Sequence, residues 1–238
     1  MLLTLAAVGI GWRPRLKQLQ QEIGPLQEAL CNSPMNRAWY EGKLELGHVV
    51  EYMKQLYCFL RDMPIVYAGW VRICPDPVVR AQYIDYLHDE HEHPEWILDF
   101  MREVGRDPQE ARDAQLIPEY AAFPYFYNWL ARKHIVEVAA ANNFASEGAV
   151  GMYGGRLAAA ARQYYNYPSL VRFWGEHGEL DDVAHSKIGH WVLEHYATTE
   201  ELQRRARFAA RHCLEIQIAG HEAMYREFVV KGRKSPSL

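Results

Sequence analysis

The stretch PVVRAQYIDYLHDEHEHPEWILDFMREV, residues 77–104, sets the reading of the whole chain. Stepping Val79, Tyr83, Tyr86, Glu90, His93, Ile97, Phe100 and Val104 alternates four and three residues, the seam a helix turns toward its neighbours. That seam predicts one helix over 77–104 and carries two polar residues, Glu90 and His93, on its inward face. The rival pair Asp85 and His88 shares its face with Asp89, Glu92, Glu95 and Asp99, a solvated stripe, and is set aside.

Outward from this segment the same three-and-four spacing recurs, without the period-two alternation of strands. The chain therefore reads as all-α. Glycine and proline punctuate it into helices expected over 15–30, 46–71, 77–104, 119–134, 135–164, 170–196 and 199–230. Pro64 falls inside the second of these and predicts a kink near Leu60, because proline removes a backbone donor and crowds the preceding turn. Tyr57, Phe59, Tyr67 and Trp70 around it supply bulky walls for a pocket or a core.

A chain of 238 residues can bury one sizeable core, and a single helical domain over 1–238 is the simplest division. Residues 1–13 read as an apolar arm packed on it, with no basic residue ahead of the apolar run, and 231–238 as a solvated, disordered tail. A formal net charge of -4 argues against nucleic acid as a partner, since a phosphate-binding face needs a basic excess. The opening apolar run is too short to span a bilayer. Cys31, Cys58, Cys74 and Cys213 show no C-x-x-C spacing and fit free thiols in a reducing cytoplasm. The partners expected are a small-molecule substrate and a second copy in a homodimer, with neither nucleic acid nor membrane.

Four acid-x-x-His pairs occur: Glu45 with His48, Asp85 with His88, Glu90 with His93, and Asp182 with His185. Glu45 with His48 reads as a helix-start pair. Glu147 is the only charged residue in VAAANNFASEGAVGMYGG, residues 138–155, so burial there would be costly without a cation or a proton. In FWGEHGELDDVAHSKIGHWV, residues 173–192, His177, Asp181 and His185 recur at steps of four, with Asp182 one residue off that line. Carboxylates and imidazoles drawn from separate helices, including a Glu-x-x-His pair, are what di-iron bundle sites require. Glu90, His93, Glu147, His177, Asp181 and His185 are thus the candidate metal and catalytic residues. His190 and His195 read as ordinary hydrogen-bonded histidines.

The segments DEHEHPEW (89–96), NNFASEGAVGMY (142–153) and HGELDDVAH (177–185) resemble the haem-oxygenase-like di-iron oxidases and oxygenases. That superfamily shares its fold with pyrroloquinoline-quinone synthase and the thiamin-salvage hydrolases. Within it the chain looks most like the fatty acid decarboxylases that form terminal alkenes. The resemblance implies a haem-oxygenase-like bundle of about seven helices and two Fe(II) ions per chain, with O2 as co-substrate. It assigns Glu90 and His93 as the first ligand pair, Glu147 as the next carboxylate, and His177, Asp181 and His185 as the last set. The family's final motif is His-x-x-x-Asp-x-x-His, whereas here one more residue separates Asp181 from His185. Either Asp181 or Asp182 would then be the ligand, with a one-residue bulge restoring the alignment.

The activity so implied is oxidative decarboxylation of a medium-chain fatty acid. N-oxygenation or oxidative carbon–carbon cleavage of an amino-acid-like substrate is the alternative, and would need a carboxylate clamp. A metal-free enzyme of the same fold, with a cysteine nucleophile, is the rival of a different class. A haem protein would need one inward histidine only, and an inert bundle would leave Glu147 unexplained.

Overall fold

The computed structural model describes residues 13–179 and 181–237, with side chains over 16–177 and 187–237. The arm expected over 1–13 lies outside the described residues except for Arg13. All regular structure described is helical, apart from an isolated antiparallel bridge between Ala114 and Ser237. In chain order the helices are α1 (Arg13–Cys31), α2 (Pro34–Tyr40), α3 (Leu46–Leu60), α4 (Met63–Ile73), α5 (Pro77–Glu90), α6 (His93–Glu103), α7 (Gln109–Asp113), α8 (Pro118–Leu130), α9 (Ile135–Val138), α10 (Glu147–Ala160), α11 (Pro168–Glu179), α12 (Asp181–Tyr196) and α13 (Glu200–Met224). Three π-helical stretches, Ala139–Ser146, Ala161–Tyr165 and Tyr225–Val230, extend α9, α10 and α13.

Two segments expected as single helices are each broken, and a proline accounts for both breaks. Pro64 and Pro94 sit in the first turns of α4 and α6. There their missing N–H costs nothing, because the first donors of a helix have no intrahelical acceptor. Residues 46–71 accordingly divide at Arg61–Asp62 and residues 77–104 at His91–Glu92. The inward seam survives the second break: Val79, Tyr83, Tyr86, Glu90, His93, Ile97 and Phe100 are all buried. Residues expected as one helix over 170–196 are helical over Pro168–Glu179 (α11) and Asp181–Tyr196 (α12), with residue 180 between them outside the described residues.

Helix α13 lies along α8, α1 and the π-helical Ala139–Ser146, while α11 packs on α10 and α6. Two glycines set how closely these rods approach. A Cβ on Gly220 would stand 2.7 Å from Tyr120 Cδ2, which draws α13 onto α8, and one on Gly189 would stand 2.7 Å from Asn143 Cβ, where α12 meets the π-helical stretch. The core so formed is rich in rings, with Trp39, Tyr52, Trp174 and Tyr153 in successive edge-on or tilted contact.

The C-terminal tail differs from its expectation. Lys231 to Lys234 are exposed, but Ser235 is buried, and its N–H donates to Glu51 Oε2 at 2.7 Å. Gln115 N–H donates to the Pro236 carbonyl at 2.7 Å. The buried Glu51 carboxylate, already paired with Lys54 at 3.0 Å, needs further donors, and the tail backbone supplies one.

Candidate metal centre

Glu90 is the last residue of α5 and His93 the first of α6, so the turn forced by Pro94 folds the two side chains toward each other. His93 Nδ1 stands 2.8 Å from Glu90 Oε2, and both residues are buried. His177 reaches the same place from α11, its ring centroid 4.5 Å from that of His93. Donor atoms of Glu90, His93 and His177 all lie within 4.8 Å of one another. The Nδ1 of His177 is 2.6 Å from the Phe173 carbonyl oxygen, one helical turn back. A carbonyl can only accept, so Nδ1 carries the proton and Nε2 keeps its lone pair for a ligand.

Glu147 is held differently. It follows the π-helical Ala139–Ser146, whose wider turn is closed by the Glu147 N–H bonding to the Asn142 carbonyl. It is half-buried rather than buried, because it borders a cavity. Tyr86 Oη donates to Glu147 Oε1 at 2.7 Å and accepts from Asn142 Nδ2 at 3.2 Å. Burial first, then the Glu147 carboxylate, pushes the Tyr86 hydroxyl well above its ordinary range; burial and then Glu90 do the same to Tyr67. Both phenols therefore remain proton donors beside the two carboxylates.

Of the six sequence-derived candidates, the structure brings Glu90, His93 and His177 together and sets Glu147 on the same cavity. The side chains of Asp181, Asp182 and His185 lie outside the described residues. Asp85 and His88 are exposed, as the stripe argument requires. His48 accepts from the Glu45 N–H at 3.2 Å, with Glu45 at the N-cap of α3, so that pair is a helix-start device. His195 Nδ1 is 2.8 Å from the Trp191 carbonyl oxygen.

The cavity measures about 80 Å³. Glu90, Glu147 and His177 line one part of it, and Tyr52, Phe59, Tyr120, Phe123 and Tyr153 supply rings to its wall. Ser146, Gln217 and His221 also line it and were not singled out in the sequence. The signal was present: Ala206, Ala210, Cys213, Gln217, His221, Met224 and Phe228 make a buried seam along 199–230. Within it Gln217 and His221 are the polar members.

Residues 50–218 match the family model described as an iron-containing redox enzyme. The chain belongs to this family of iron-containing redox enzymes. No curated protein matches it. Among solved structures it is similar to a domain of unknown function with a haem-oxygenase-like fold from Shewanella denitrificans, at 16% identity, covering 91% of this chain and 94% of that one, TM-score 0.79. A TenA homologue from Pseudomonas syringae pv. tomato is 15% identical over 88% of this chain and 92% of its own, TM-score 0.78. Another from P. horikoshii is 14% identical over 88% and 97%, TM-score 0.74. The fold of this iron-containing redox enzyme is thus haem-oxygenase-like and all-α.

The donor set suits the family. One carboxylate and two imidazoles, one with its tautomer fixed by a backbone carbonyl, are hard and borderline ligands that a divalent iron accepts. No cysteine lines the cavity among the described residues. All four thiols are buried; burial pushes Cys31 and Cys58 up to about 11, Cys213 to about 12, and Cys74 upward as well. None is a ready thiolate at neutral pH. No helix of the described residues is long and apolar enough to cross a membrane.

Proposed function

We propose that this iron-containing redox enzyme is a non-haem, oxygen-activating oxidase that holds two ferrous ions and acts on a small carboxylate substrate. The convergence of Glu90, His93 and His177, with Glu90, His177 and Glu147 lining one cavity, carries this reading. Asp181 or Asp182 and His185 of α12 would complete the ligand set. Iron bound there would supply the electron transfer and oxygen chemistry that side chains lack.

The remaining tasks fall to the chain. Phe173 holds the His177 tautomer through its carbonyl, and Tyr86 orients the Glu147 carboxylate by donating to it. The ring-lined wall excludes water from the substrate. No lysine or arginine lines the cavity among the described residues, so a substrate carboxylate has no cationic side chain to dock on and is directed to the metal end.

For a medium-chain fatty acid, loss of a β hydrogen and of the carboxyl group as carbon dioxide leaves a terminal alkene and removes two electrons, which dioxygen accepts. A compact aromatic, amino-acid-like substrate is the second reading, favoured by the tyrosines of the wall and by a cavity of about 80 Å³, its carboxylate held at the metal end in place of the cationic clamp that the wall lacks among the described residues. Pockets that bury drug-sized ligands usually measure roughly 300–1,000 Å³.

The test is anaerobic loading with ferrous iron, a count of metal per chain, and optical spectra as oxygen is admitted. Two irons with a transient visible absorption, both lost in Glu147→Ala, are expected. Failure to bind iron under any loading would overturn the reading. A screen of medium-chain fatty acids for volatile alkene then separates the two substrates.

A further inference from the structure

Two polar atoms on residues of the cavity wall are buried with no hydrogen-bond partner among the described residues: Nδ1 of His221 and Nε1 of Trp174. Each residue is 3% exposed. Buried polar groups are hydrogen-bonded in the great majority of cases, so two such atoms on residues of one wall offer unspent hydrogen-bonding capacity to a ligand. They are also neighbours of the same rings. Tyr52 lies 5.9 Å from His221 and 6.2 Å from Trp174, and Tyr153 lies 6.5 Å and 6.3 Å from them, centroid to centroid. Tyr120 adds a third phenol 6.4 Å from His221. Ser146 and Gln217 in the same wall are already hydrogen-bonded to each other at 3.1 Å, and Gln217 Nε2 also to Cys213 Sγ at 3.2 Å.

The chemistry of such a ligand follows from what these groups offer. Burial lowers the His221 imidazole to about 4, so it is neutral near pH 7, with one donor and one acceptor nitrogen. Trp174 can only donate. No lysine, arginine or aspartate lines the cavity among the described residues, and both lining glutamates belong to the metal end. A charged ligand group at His221 would lose its hydration without a counter-charge. A neutral hydrogen-bonding group on a flat ring meets the imidazole and the indole and packs among the phenols.

We propose that this part of the cavity is a second recognition subsite, in which His221 and Trp174 hydrogen-bond a neutral polar group carried on an aromatic substrate. The substrate class is then an aryl-bearing carboxylate, such as a phenol- or amide-substituted aromatic acid, and not a plain alkyl acid. The proposal rests on the iron-enzyme reading only for the end at which the carboxylate reacts. The subsite itself needs no metal.

The test uses phenol and toluene, which differ by one hydroxyl against one methyl, titrated calorimetrically into the full-length protein with and without ferrous iron. Phenol is expected to bind at least tenfold more tightly than toluene in both forms, and to shift the imidazole nitrogen resonances of His221. His221→Phe and Trp174→Phe keep an aromatic ring at each position and remove the polar atom. Each is expected to reduce the phenol preference, and His221→Phe to leave iron uptake intact, whereas Trp174 lies 6.3 Å from the His177 ring and is read by phenol preference alone; either variant decides the point if the other fails to fold. Equal affinity for phenol and toluene, no binding of phenol, or a preference that survives the substitutions would overturn the proposal. A phenol preference in a protein that takes up no iron would support the subsite and sink the iron-oxidase reading instead.

Discussion

Glu45 with His48 and Glu90 with His93 share one spacing and end in different chemistry. The first pair opens α3 at the surface, where the imidazole nitrogen accepts the otherwise unbonded Glu45 N–H. The second spans the α5–α6 junction and is buried, with His177 brought in from a third helix. Three residues of separation place two side chains within reach of each other and decide nothing further. What decides is the company. The exposed pair meets water and a helix end, whereas the buried pair meets another imidazole and a cavity. His221 makes a third case, a buried histidine with phenols around it and no hydrogen bond to Nδ1 among the described residues.

The largest effect that separates these cases is metal binding. Glu90→Ala or His93→Ala is expected to abolish stable iron uptake in an anaerobic ferrous titration, and His48→Ala to leave the metal count unchanged. Equal iron loss in all three would erase the distinction.

His221 is expected to show itself in the acid limb of stability. Its folded pKa of about 4 lies below the ordinary 6.5, so the unfolded chain takes up the proton first as pH falls. The stability its neutral ring contributes is complete above pH 6.5 and lost on the way down to about 4. The total is about 3 kcal/mol by proton linkage. His221→Phe should flatten that part of a urea-unfolding series run from pH 7 to pH 4.

Tyr86→Phe removes the donor to Glu147 without changing the ring. Groups that orient metal ligands typically carry about 10-fold to 100-fold in affinity, and roughly tenfold weaker iron binding is expected here. The same titration reads it, and an unchanged affinity would leave Glu147 outside the metal's surroundings.

The smallest effect belongs to the surface pair. His48→Ala should cost about 1 kcal/mol of unfolding free energy, the usual worth of a helix-start hydrogen bond. A cost near zero would mean that water replaces the imidazole there.

Much of this was legible in the linear order of residues. The all-α class followed from the spacing of apolar residues, and the inward face of Glu90 and His93 from the same seam that is buried in the structure. In the sequence Pro64 reads as a kink and Pro94 goes unmarked within 77–104, because whether a proline kinks a helix or starts a new one depends on how the flanking segments pack; here both start one. The seam of Cys213, Gln217 and His221 carried no acid-histidine pair to draw attention. Its meaning came only from Tyr52, Tyr120 and Tyr153, which other helices supply.

The sequence by itself determined the all-α class, the apolar faces and the inward placement of Glu90 and His93, because these depend on residues within a few turns of one another. Only the tertiary structure decided that His177 meets His93 at 4.5 Å, that Tyr86 reaches Glu147, and that the cavity also holds two unpartnered polar atoms. The physical reason is that a ligand set and a cavity are made by side chains from separate rods. Their distances are fixed by close approaches such as Gly220 on Tyr120 and Gly189 on Asn143, which local spacing does not encode.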